Sequence, residues 1–498
     1  MQTKNKQRGT MQFSGIIFPR PFAFAIDDLG WNIGNNSGDT DGVGPYRIGL
    51  DRKMDVNDYK AIVNVCKAVG LRVQGLFVLS EMDRENILAK FPTTTWQGAD
   101  WDNSANVCPE QIEIMKYVQE NAAHLEFGLH GLGHEYWLNG QLKRAEWYNK
   151  VDNYPWPEKI MKEHIQCFKN IMAQYGLSEE NGHSFPESFV PCSYAYYWNP
   201  QGTYSTGKIM SEAGVKYANT LFDEISELNP PEGNNGGGFD NGIVVVNRIT
   251  YGNEWFELSK LPTVELELQE SDMIESHWSN WLAQDDFMQE ETNKKWIEYY
   301  KMVQLNRNRY VAKNSEQFYS QWLYKKYTMV SENETGTVEI DNRNMPDEYY
   351  QYKLLRNMVL KLKLAEGFHV SMATLNDKPI AAYFEEAGYG FIYLPILNQE
   401  KYVLKYTLSE KKMPFMVYNE GTYNVYEIIE SGKTTSIWLK VYGEQLVKIY
   451  CTKPASVELD NPNLKIIESN YNKVAELLSI NLRANNIQGE IGTLHLIY

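Results

Sequence analysis

Three features common in other protein classes are scarce in this chain. No apolar run approaches the about 20 residues that span a bilayer, and the start, MQTKNKQRGTMQFSG, lacks the charged, apolar and small-residue order of a secretory signal. Basic side chains are outnumbered, with 48 Lys and Arg against 64 Asp and Glu, and the net charge of -16 disfavours nucleic acid and anionic lipid. We therefore expect no transmembrane segment and no nucleic-acid partner. The expected protein is soluble, either cytoplasmic or secreted with its signal removed.

Cysteine is also scarce, and its spacing excludes two further classes. The five cysteines are widely separated and contain no CxxC pair; they are Cys66, Cys108, Cys167, Cys192 and Cys451. An odd, scattered set argues against a disulfide framework and against a cysteine zinc site. We expect reduced and mostly buried thiols.

Aromatic residues, by contrast, are abundant, with 13 Trp, 34 Tyr and 19 Phe in 498 residues. Most of them must fill cores, because each ring buries a large apolar area. Aromatic faces also stack on sugar rings, so this excess is a first indication of a carbohydrate ligand. The length itself favours two or three domains.

Seven short apolar runs alternate with helical patterns in the first three hundred residues. The runs are FAFAI (22–26), VQGLFVL (73–79), LEFGL (125–129), SFVP (188–191), VKYA (215–218), IVVV (243–246) and MIES (273–276). Alternation of strand and helix predicts right-handed crossovers and parallel strands. We therefore predict an α/β fold in which residues 1–330 form a deformed (β/α)7 barrel, closed by aromatic-rich helices between about 286 and 326.

The pattern changes after about residue 336. Short alternating runs separated by turn signals, such as GYGFIYLPIL and TSIWLKVYG, are typical of antiparallel strands. The sequence therefore predicts a second domain at 331–498, an all-β sandwich that supports the barrel or binds glycan.

Three predicted strand ends carry polar side chains. Asp27 and Asp28 follow the first strand, His130 and His134 follow the third, and His277 follows the seventh. Residues at the carboxyl ends of parallel strands converge on one face of the fold, where active sites are built. Two histidines four residues apart can direct both imidazoles to one point, and a carboxylate from a neighbouring strand supplies a third metal ligand.

This set can perform hydrolysis. A cation at Asp28, His130 and His134 lowers the pKa of its water, and a free carboxylate within hydrogen-bond reach accepts the proton, a role that suits Asp27. A histidine near a carboxylate can then protonate the leaving group, a role that suits His277. The metal is expected to be divalent, with Zn²⁺ the first candidate.

The same residues resemble the polysaccharide-deacetylase (NodB-homology) carbohydrate esterases. That family has an aspartate pair after its first strand, an H-[S/T]-x-x-H motif, a proline motif and a late histidine, and here Asp27-Asp28, HGLGH (130–134), SFVPC (188–192) and His277 follow in that order. The resemblance covers about residues 15–285. It implies that Asp27 is the base, that Asp28 binds metal, and that the reaction removes an N- or O-acetyl group from a glycan.

Two positions depart from the family pattern, and this indicates a divergent member. Gly131 stands where the family has Ser or Thr, and Phe189 stands where the family usually has an arginine that orients the base. Aromatic and proline side chains on the same predicted loops are candidates for substrate binding; they are Trp31, Tyr136, Trp137, Pro191 and Tyr194.

Two alternatives remain open at this point. A glycoside hydrolase on a related barrel would pair Asp27 or Asp28 with a second acid such as Glu135 or Glu187. A carbohydrate-binding protein would retain the fold of a deacetylase without turnover. The sequence does not predict which glycan is bound or what oligomer forms.

Overall fold

The protein is described by a computed structural model, which covers residues 15–32, 50, 52–104, 107, 109–199, 204–222, 230, 236–333, 336–380, 382–418 and 421–498. The elements of the first part are β1 (Arg20–Leu29), α1 (Val56–Val69), β2 (Val73–Val78), α2 (Pro109–Glu120), β3 (Leu125–Gly131), β4 (Tyr136–Leu138), β5 (Gln141–Lys143), α3 (Glu158–Gln174), β6 (Ser188–Phe189), α4 (Thr206–Ala213), β7 (Tyr217–Thr220), β8 (Gly237–Asp240), β9 (Ile243–Ile249), β10 (Met273–His277), α5 (Trp278–Trp281), α6 (Asp286–Leu305), β11 (Arg309–Val311) and α7 (Ser315–Tyr327).

The elements that follow are mostly strands. They are β12 (Met329–Glu332), β13 (Val338–Asp341), α8 (Asp347–Gln351), β14 (Met358–Lys363), β15 (His369–Leu375), β16 (Lys378–Pro379), β17 (Ala382–Glu386), β18 (Tyr389–Leu394), β19 (Lys401–Ser409), β20 (Met416–Tyr418), β21 (Asn424–Ser431), β22 (Thr434–Val441), β23 (Glu444–Tyr450), β24 (Ser456–Leu459), β25 (Leu464–Asn472), β26 (Leu477–Ala484) and β27 (Glu490–Ile497). No helix within the described ranges is both long enough and apolar enough to cross a bilayer.

Seven parallel strands form a closed barrel in the order β10, β1, β2, β3, β6, β7, β9, and pairing of β9 with β10 completes the circle. Each of the seven apolar runs of the sequence contributes to one of these strands. β8 lies antiparallel on β9, outside the circle. Because the sheet closes on itself, β1 is paired on both sides, with β10 and with β2.

The expected (β/α)7 repeat is wrong. Among the described residues, α-helices connect β1 to β2, β2 to β3, β3 to β6 and β6 to β7, but the connections from β7 to β9 and from β9 to β10 contain none. Their sequences explain the difference, because PPEGNNGGG and the segment from Tyr251 to Glu270 carry glycine, proline and scattered apolar residues without helical spacing. The barrel is therefore all parallel, but helices cover only part of its outside.

Helices formed where the sequence supplies both a cap and an apolar stripe. The side chain of Asp55 accepts a hydrogen bond at the start of α1, and the Asp58 carboxylate accepts one from the backbone N–H of Asp55, which makes a capping box. Gly70 ends the helix in the left-handed conformation. On the outside of β1, Trp281 stacks on Trp296 at 3.9 Å between ring centroids, and Phe24 packs edge-on against Trp296.

The C-terminal part is not the expected two-layer sandwich. It contains three sheets, with strand orders β12-β13-β19-β15-β16, β14-β18-β17-β20-β23-β26-β25 and β21-β22-β27-β24. Pairing is antiparallel except between β17 and β20. Alternating apolar and polar residues identify strands, but they do not determine how strands are distributed among sheets, and this limits prediction from pattern.

Helix α7 covers the amino end of the barrel and joins it to the C-terminal sheets. Tyr319 stacks on Tyr217 at the start of β7, with 4.6 Å between ring centroids, and its hydroxyl accepts a hydrogen bond from Asn219. A single buried apolar cluster runs from barrel residues such as Val244 to C-terminal residues such as Leu439. The boundary near residue 330 stays a prediction, and the two parts share a core across it.

A buried network of charges lies at this junction. Lys440 donates to Glu187, before β6, at 2.9 Å and to Glu316 of α7 at 2.8 Å, and both lysine and Glu316 side chains are almost inaccessible to solvent. Burial opposes ionisation of Glu187, but Lys440 and Lys216 lower its pKa to about 2. Lys440 is therefore shared by both glutamates, while Lys216 also pairs with Glu187 and Arg356 lies 3.4 Å from Glu316.

The Lys440→Met variant should unfold more easily than the parent protein, by about 3 to 5 kcal/mol, because two buried carboxylates lose a shared partner. Urea or thermal unfolding measures the change. Lys433→Met, at an exposed turn of the same sheet, serves as the control and should change stability by less than about 0.5 kcal/mol. Equal stability of the two variants would contradict the assigned role of Lys440.

Candidate active site

Parallel pairing brings the polar residues of separate strand ends together. Ala25 and Asp27 on β1 lie in register with Glu275 and His277 on β10, so alternate residues of two neighbouring strands share one face. Together with His130 at the end of β3, these side chains meet at the carboxyl end of the barrel. The sequence prediction of convergence at this end agrees with the structure.

A cavity of about 270 Å³ opens at this end. Its lining comprises Asp27, Asp28, Trp31, His130, His134, Arg144, Pro191, Ser193, Tyr194, Arg248, Trp255, Glu275 and His277. All five residues expected to carry the chemistry are therefore in one cavity, which also contains two arginines and a third carboxylate.

A turn at the end of β1 explains how adjacent aspartates reach the same cavity. Successive side chains of a strand point to opposite faces. Asp28, however, has a φ of 67° in the left-handed region, and the register with β2 shifts between Ile26 and Leu29. Aspartate tolerates this conformation better than most residues. The bulge therefore turns the Asp28 carboxylate back toward the cavity.

Several distances describe how close the expected metal ligands lie to one another and to His277. Asp28 Oδ1 lies 3.3 Å from His130 Nε2, and Asp28 Oδ2 lies 3.9 Å from His277 Nε2. The rings of His130 and His134 are 5.4 Å apart between centroids. The side chains of all three expected ligands line the same cavity. Among the described residues, two groups of potential ligand atoms lie within 4.8 Å of one another, His130 with His134 and Cys192, and Asp27 with Glu275 and His277, and Asp28 belongs to neither.

Hydrogen bonds on the far side of each imidazole orient it toward this space. His130 Nδ1 donates to the carbonyl oxygen of Val190 at 2.8 Å, and His134 Nδ1 lies 2.9 Å from Glu135 Oε1. With Nδ1 protonated, a neutral imidazole presents its Nε2 lone pair to the cavity. Metal-binding histidines in proteins are commonly held by such a carbonyl or carboxylate partner.

The donor set fits a cation. The bare Nε2 of a neutral His130 would face a carboxylate oxygen, an arrangement that is repulsive unless a proton or a metal ion lies between them. Asp28 Oδ1 is buried, and within the described part of the chain it accepts no hydrogen bond. Burial opposes ionisation of Asp28, but the nearby imidazoles hold its pKa well below the usual range. A carboxylate and two imidazoles are ligands that Zn²⁺ accepts.

Cys192 is also close to the histidines. Potential ligand atoms of His130, His134 and Cys192 lie within 4.8 Å of one another. The Cys192 thiol, however, donates to the carbonyl oxygen of His130 at 3.2 Å and is not among the groups that line the cavity. Burial raises the pKa of this thiol well above its ordinary value. We therefore assign it to the packing behind the histidines. The expectation of reduced, mostly buried thiols agrees with the four described cysteines, while Cys108 lies outside the described residues.

An arginine beside the first aspartate was missed in the sequence. Arg248 on β9 binds both carboxylate oxygens of Asp27, at 2.9 and 2.5 Å, and lies 3.4 Å from Glu275. Burial would raise the pKa of Asp27, but the guanidinium holds it below its ordinary value. The sequence offered only one signal, an arginine near the end of the apolar run IVVV.

Steric crowding explains why a glycine stands at position 131 of the histidine motif. A Cβ at Gly131 would lie 2.2 Å from Glu146 Oε2. This carboxylate accepts hydrogen bonds from the backbone of Leu132, at 2.8 Å, and of His134, at 3.1 Å, and pairs with His164 at 3.1 Å. Glu146 therefore holds the histidine loop from the position that a side chain at residue 131 would otherwise occupy. Because Glu146 lies outside the HGLGH motif, the motif alone does not reveal this role.

The expected substrate-binding residues divide into two groups. Trp31, Pro191 and Tyr194 line the cavity. Tyr136 and Trp137 are buried elsewhere, and Tyr136 stacks on Trp156 with 3.6 Å between ring centroids. Five further residues line the cavity without having been expected there: Arg144, Ser193, Arg248, Trp255 and Glu275.

The two acids considered for a glycoside hydrolase do not line the cavity either. Glu187 belongs to the charge network at the opposite end of the barrel. Glu135 is buried behind His134 and lies 3.3 Å from Arg144. Neither is placed to act opposite Asp27 or Asp28 across a sugar.

Comparison of the chain with protein-family models and with curated proteins gives no match. The resemblance to the deacetylases therefore rests on the residues and their order alone.

The Glu146→Gln variant should be less stable than the parent by about 2 to 4 kcal/mol. The amide keeps the size of the side chain, but it loses the charge that the backbone N–H groups of the histidine loop and His164 contact. Urea unfolding measures the loss. Glu163→Gln, in which the acid lies on the surface of α3 near Lys159, is the control. Similar stability of both variants would show that Glu146 does not organise this loop.

Proposed function

We propose that the protein is a metal-dependent hydrolase that removes an N- or O-acetyl group from a carbohydrate. The observation that carries the proposal is the common cavity, in which Asp28, His130 and His134 face one space and each histidine has a fixed hydrogen-bond partner. The order of the motifs, similar to that of the polysaccharide deacetylases, supports the acetyl group as the target.

A divalent cation, for which Zn²⁺ is our first candidate, would supply Lewis acidity that activates water and polarises the acyl carbonyl. Asp28, His130 and His134 would hold it. Three protein ligands leave coordination positions open, as in other catalytic sites of this type.

Asp27 takes the proton of the attacking water in this proposal. Arg248 fixes both oxygens of Asp27, and therefore the carboxylate remains ionised and correctly oriented even though it is buried. A fixed base within hydrogen-bond reach accelerates proton transfer by about 10² to 10⁴.

His277 is the proposed acid. Its Nε2 faces Asp28 at 3.9 Å, and its Nδ1 is buried and without a hydrogen-bond partner among the described residues. The backbone N–H of His277 donates to Asn280 at 2.9 Å and thereby fixes the residue at the end of β10. From this position the imidazole can donate a proton to the departing amine or alcohol.

Two variants separate base from ligand. Asp27→Asn should retain metal by elemental analysis but release acetate at least about a hundredfold more slowly, because the amide cannot accept the proton. His130→Ala should lose both metal and turnover. Asp100→Asn, at an exposed position, is the matched control.

The assay is acetate release from a panel of acetylated glycans, before and after treatment with a chelator. Activity that survives complete removal of metal would contradict the proposal, as would equal turnover by Asp27→Asn and the parent. Bound metal without release from any glycan would favour a carbohydrate-binding protein instead.

Arg248→Lys tests how the base is held. Lysine preserves the positive charge but cannot contact both carboxylate oxygens in a planar fork. We expect kcat to fall about tenfold or more while metal content stays the same. Arg343→Lys, which changes an exposed pair with Asp341, should leave kcat unaltered. An unaltered kcat in Arg248→Lys as well would mean that charge alone suffices.

A further inference from the structure

One wall of the cavity carries hydrogen-bond donors that neither the ligand set nor the proton-transfer residues use. Arg144 lines the cavity, and its side chain is 41% exposed. Ser193 also lines it, on the turn that follows Pro191. In the sequence, the β4–β5 hairpin separates Arg144 from the histidine motif.

The Ser193 hydroxyl is unsatisfied. The residue is nine-tenths buried, and its Oγ has no hydrogen-bond partner in the described part of the chain. A buried hydroxyl without a partner costs free energy, so such groups in native proteins generally meet a ligand or a water molecule. The backbone of Ser193 adopts φ 53°, in the left-handed region, and thus the turn holds this side chain in an uncommon conformation.

The guanidinium of Arg144 has more N–H donors than its contact with an acid uses. Its only contact with an acid among the described residues is Glu135 Oε1 at 3.3 Å, and this oxygen is already 2.9 Å from the Nδ1 of His134. A guanidinium has five N–H donors in a planar fork that matches a carboxylate. The contact with Glu135 therefore uses only part of the Arg144 guanidinium, and most of its N–H donors remain available to a ligand in the cavity.

Lys150 connects these two donors. Its Nζ donates to the carbonyl oxygen of Ser193 at 3.1 Å, while its backbone N–H donates to the carbonyl oxygen of Arg144. The loop that carries Arg144 and the turn that carries Ser193 are thereby joined as one wall.

We propose that Arg144 and the Ser193 hydroxyl form a subsite for a carboxylate of the substrate, so that the preferred substrate is an acylated acidic saccharide. This inference rests on the proposed function. The carboxylate can belong to the sugar, as in a uronate, or to the acyl group, as in a succinyl ester. Both present the same planar anion to the guanidinium.

Three probes of equal chain length distinguish the sources: an O-acetylated uronate oligosaccharide, an O-acetylated neutral one and an O-succinylated neutral one. We expect kcat/KM to be at least about tenfold higher for one of the acidic probes than for the neutral probe, mainly through KM. In Arg144→Gln this ratio should fall toward one, and Arg144→Lys should retain part of it. Ser193→Ala should lower it several-fold.

A binding measurement that needs no turnover accompanies the assay. Titration of chelator-treated protein with D-glucuronate and with D-glucose, followed by NMR, should show preference for the acid in the parent and loss of that preference in Arg144→Gln. Removal of metal prevents the carboxylate from binding to a cation instead.

The outcomes separate the two proposals. If Arg144→Gln slows all three probes equally, Arg144 is only the counter-ion of Glu135, and the subsite is overturned while hydrolysis stands. If no probe loses its acyl group but glucuronate binds in a manner that depends on Arg144, the proposed hydrolysis fails and the subsite stands. Equal binding of glucuronate and glucose by the parent would overturn the subsite.

Discussion

The site depends on compensating the charge of three carboxylates buried at one end of a closed barrel. Asp27 and Glu275 are almost completely inaccessible to solvent, and Asp28 lies between imidazoles. Removing such groups from water is costly unless partners of opposite charge are fixed nearby. Arg248 serves Asp27 and faces Glu275, whereas Asp28 has only imidazoles beside it. This asymmetry distinguishes the aspartate suited to hold a cation from the one that already has a permanent partner.

Much of this arrangement could be predicted from residue order. Each of the seven apolar runs contributes residues to a barrel strand, and Asp27, Asp28, His130, His134 and His277 do converge at the carboxyl end of the barrel. The rule that parallel strands present their carboxyl ends to one face was sufficient for this. The left-handed turn at Asp28 lets adjacent residues enter the same cavity, and the residue order alone does not predict it.

The remainder depended on contacts between distant segments, which have no local pattern. Arg248 lies 221 residues from Asp27, and nothing in IVVVNRI distinguishes it from a surface arginine. Glu146 fills the space that makes glycine necessary at position 131, a relation that only packing reveals. The expectation of helices between all seven strands was wrong because the last two connections lack helical spacing: the stretch 230–238 is rich in glycine, and the segment 251–270 carries only scattered apolar residues.

The two ends of the barrel use buried charge differently. At the carboxyl end the ionised groups line a cavity, whereas at the amino end Glu187 and Glu316 meet Lys440, which comes from the last strands of the chain. One lysine of the C-terminal sheets therefore helps to balance the charge of the glutamates at the amino end of the barrel. A change of Lys440 to an uncharged residue would alter the charge balance of Glu187 and of Glu316 at once, so the barrel and the C-terminal sheets constrain each other's sequence at this position.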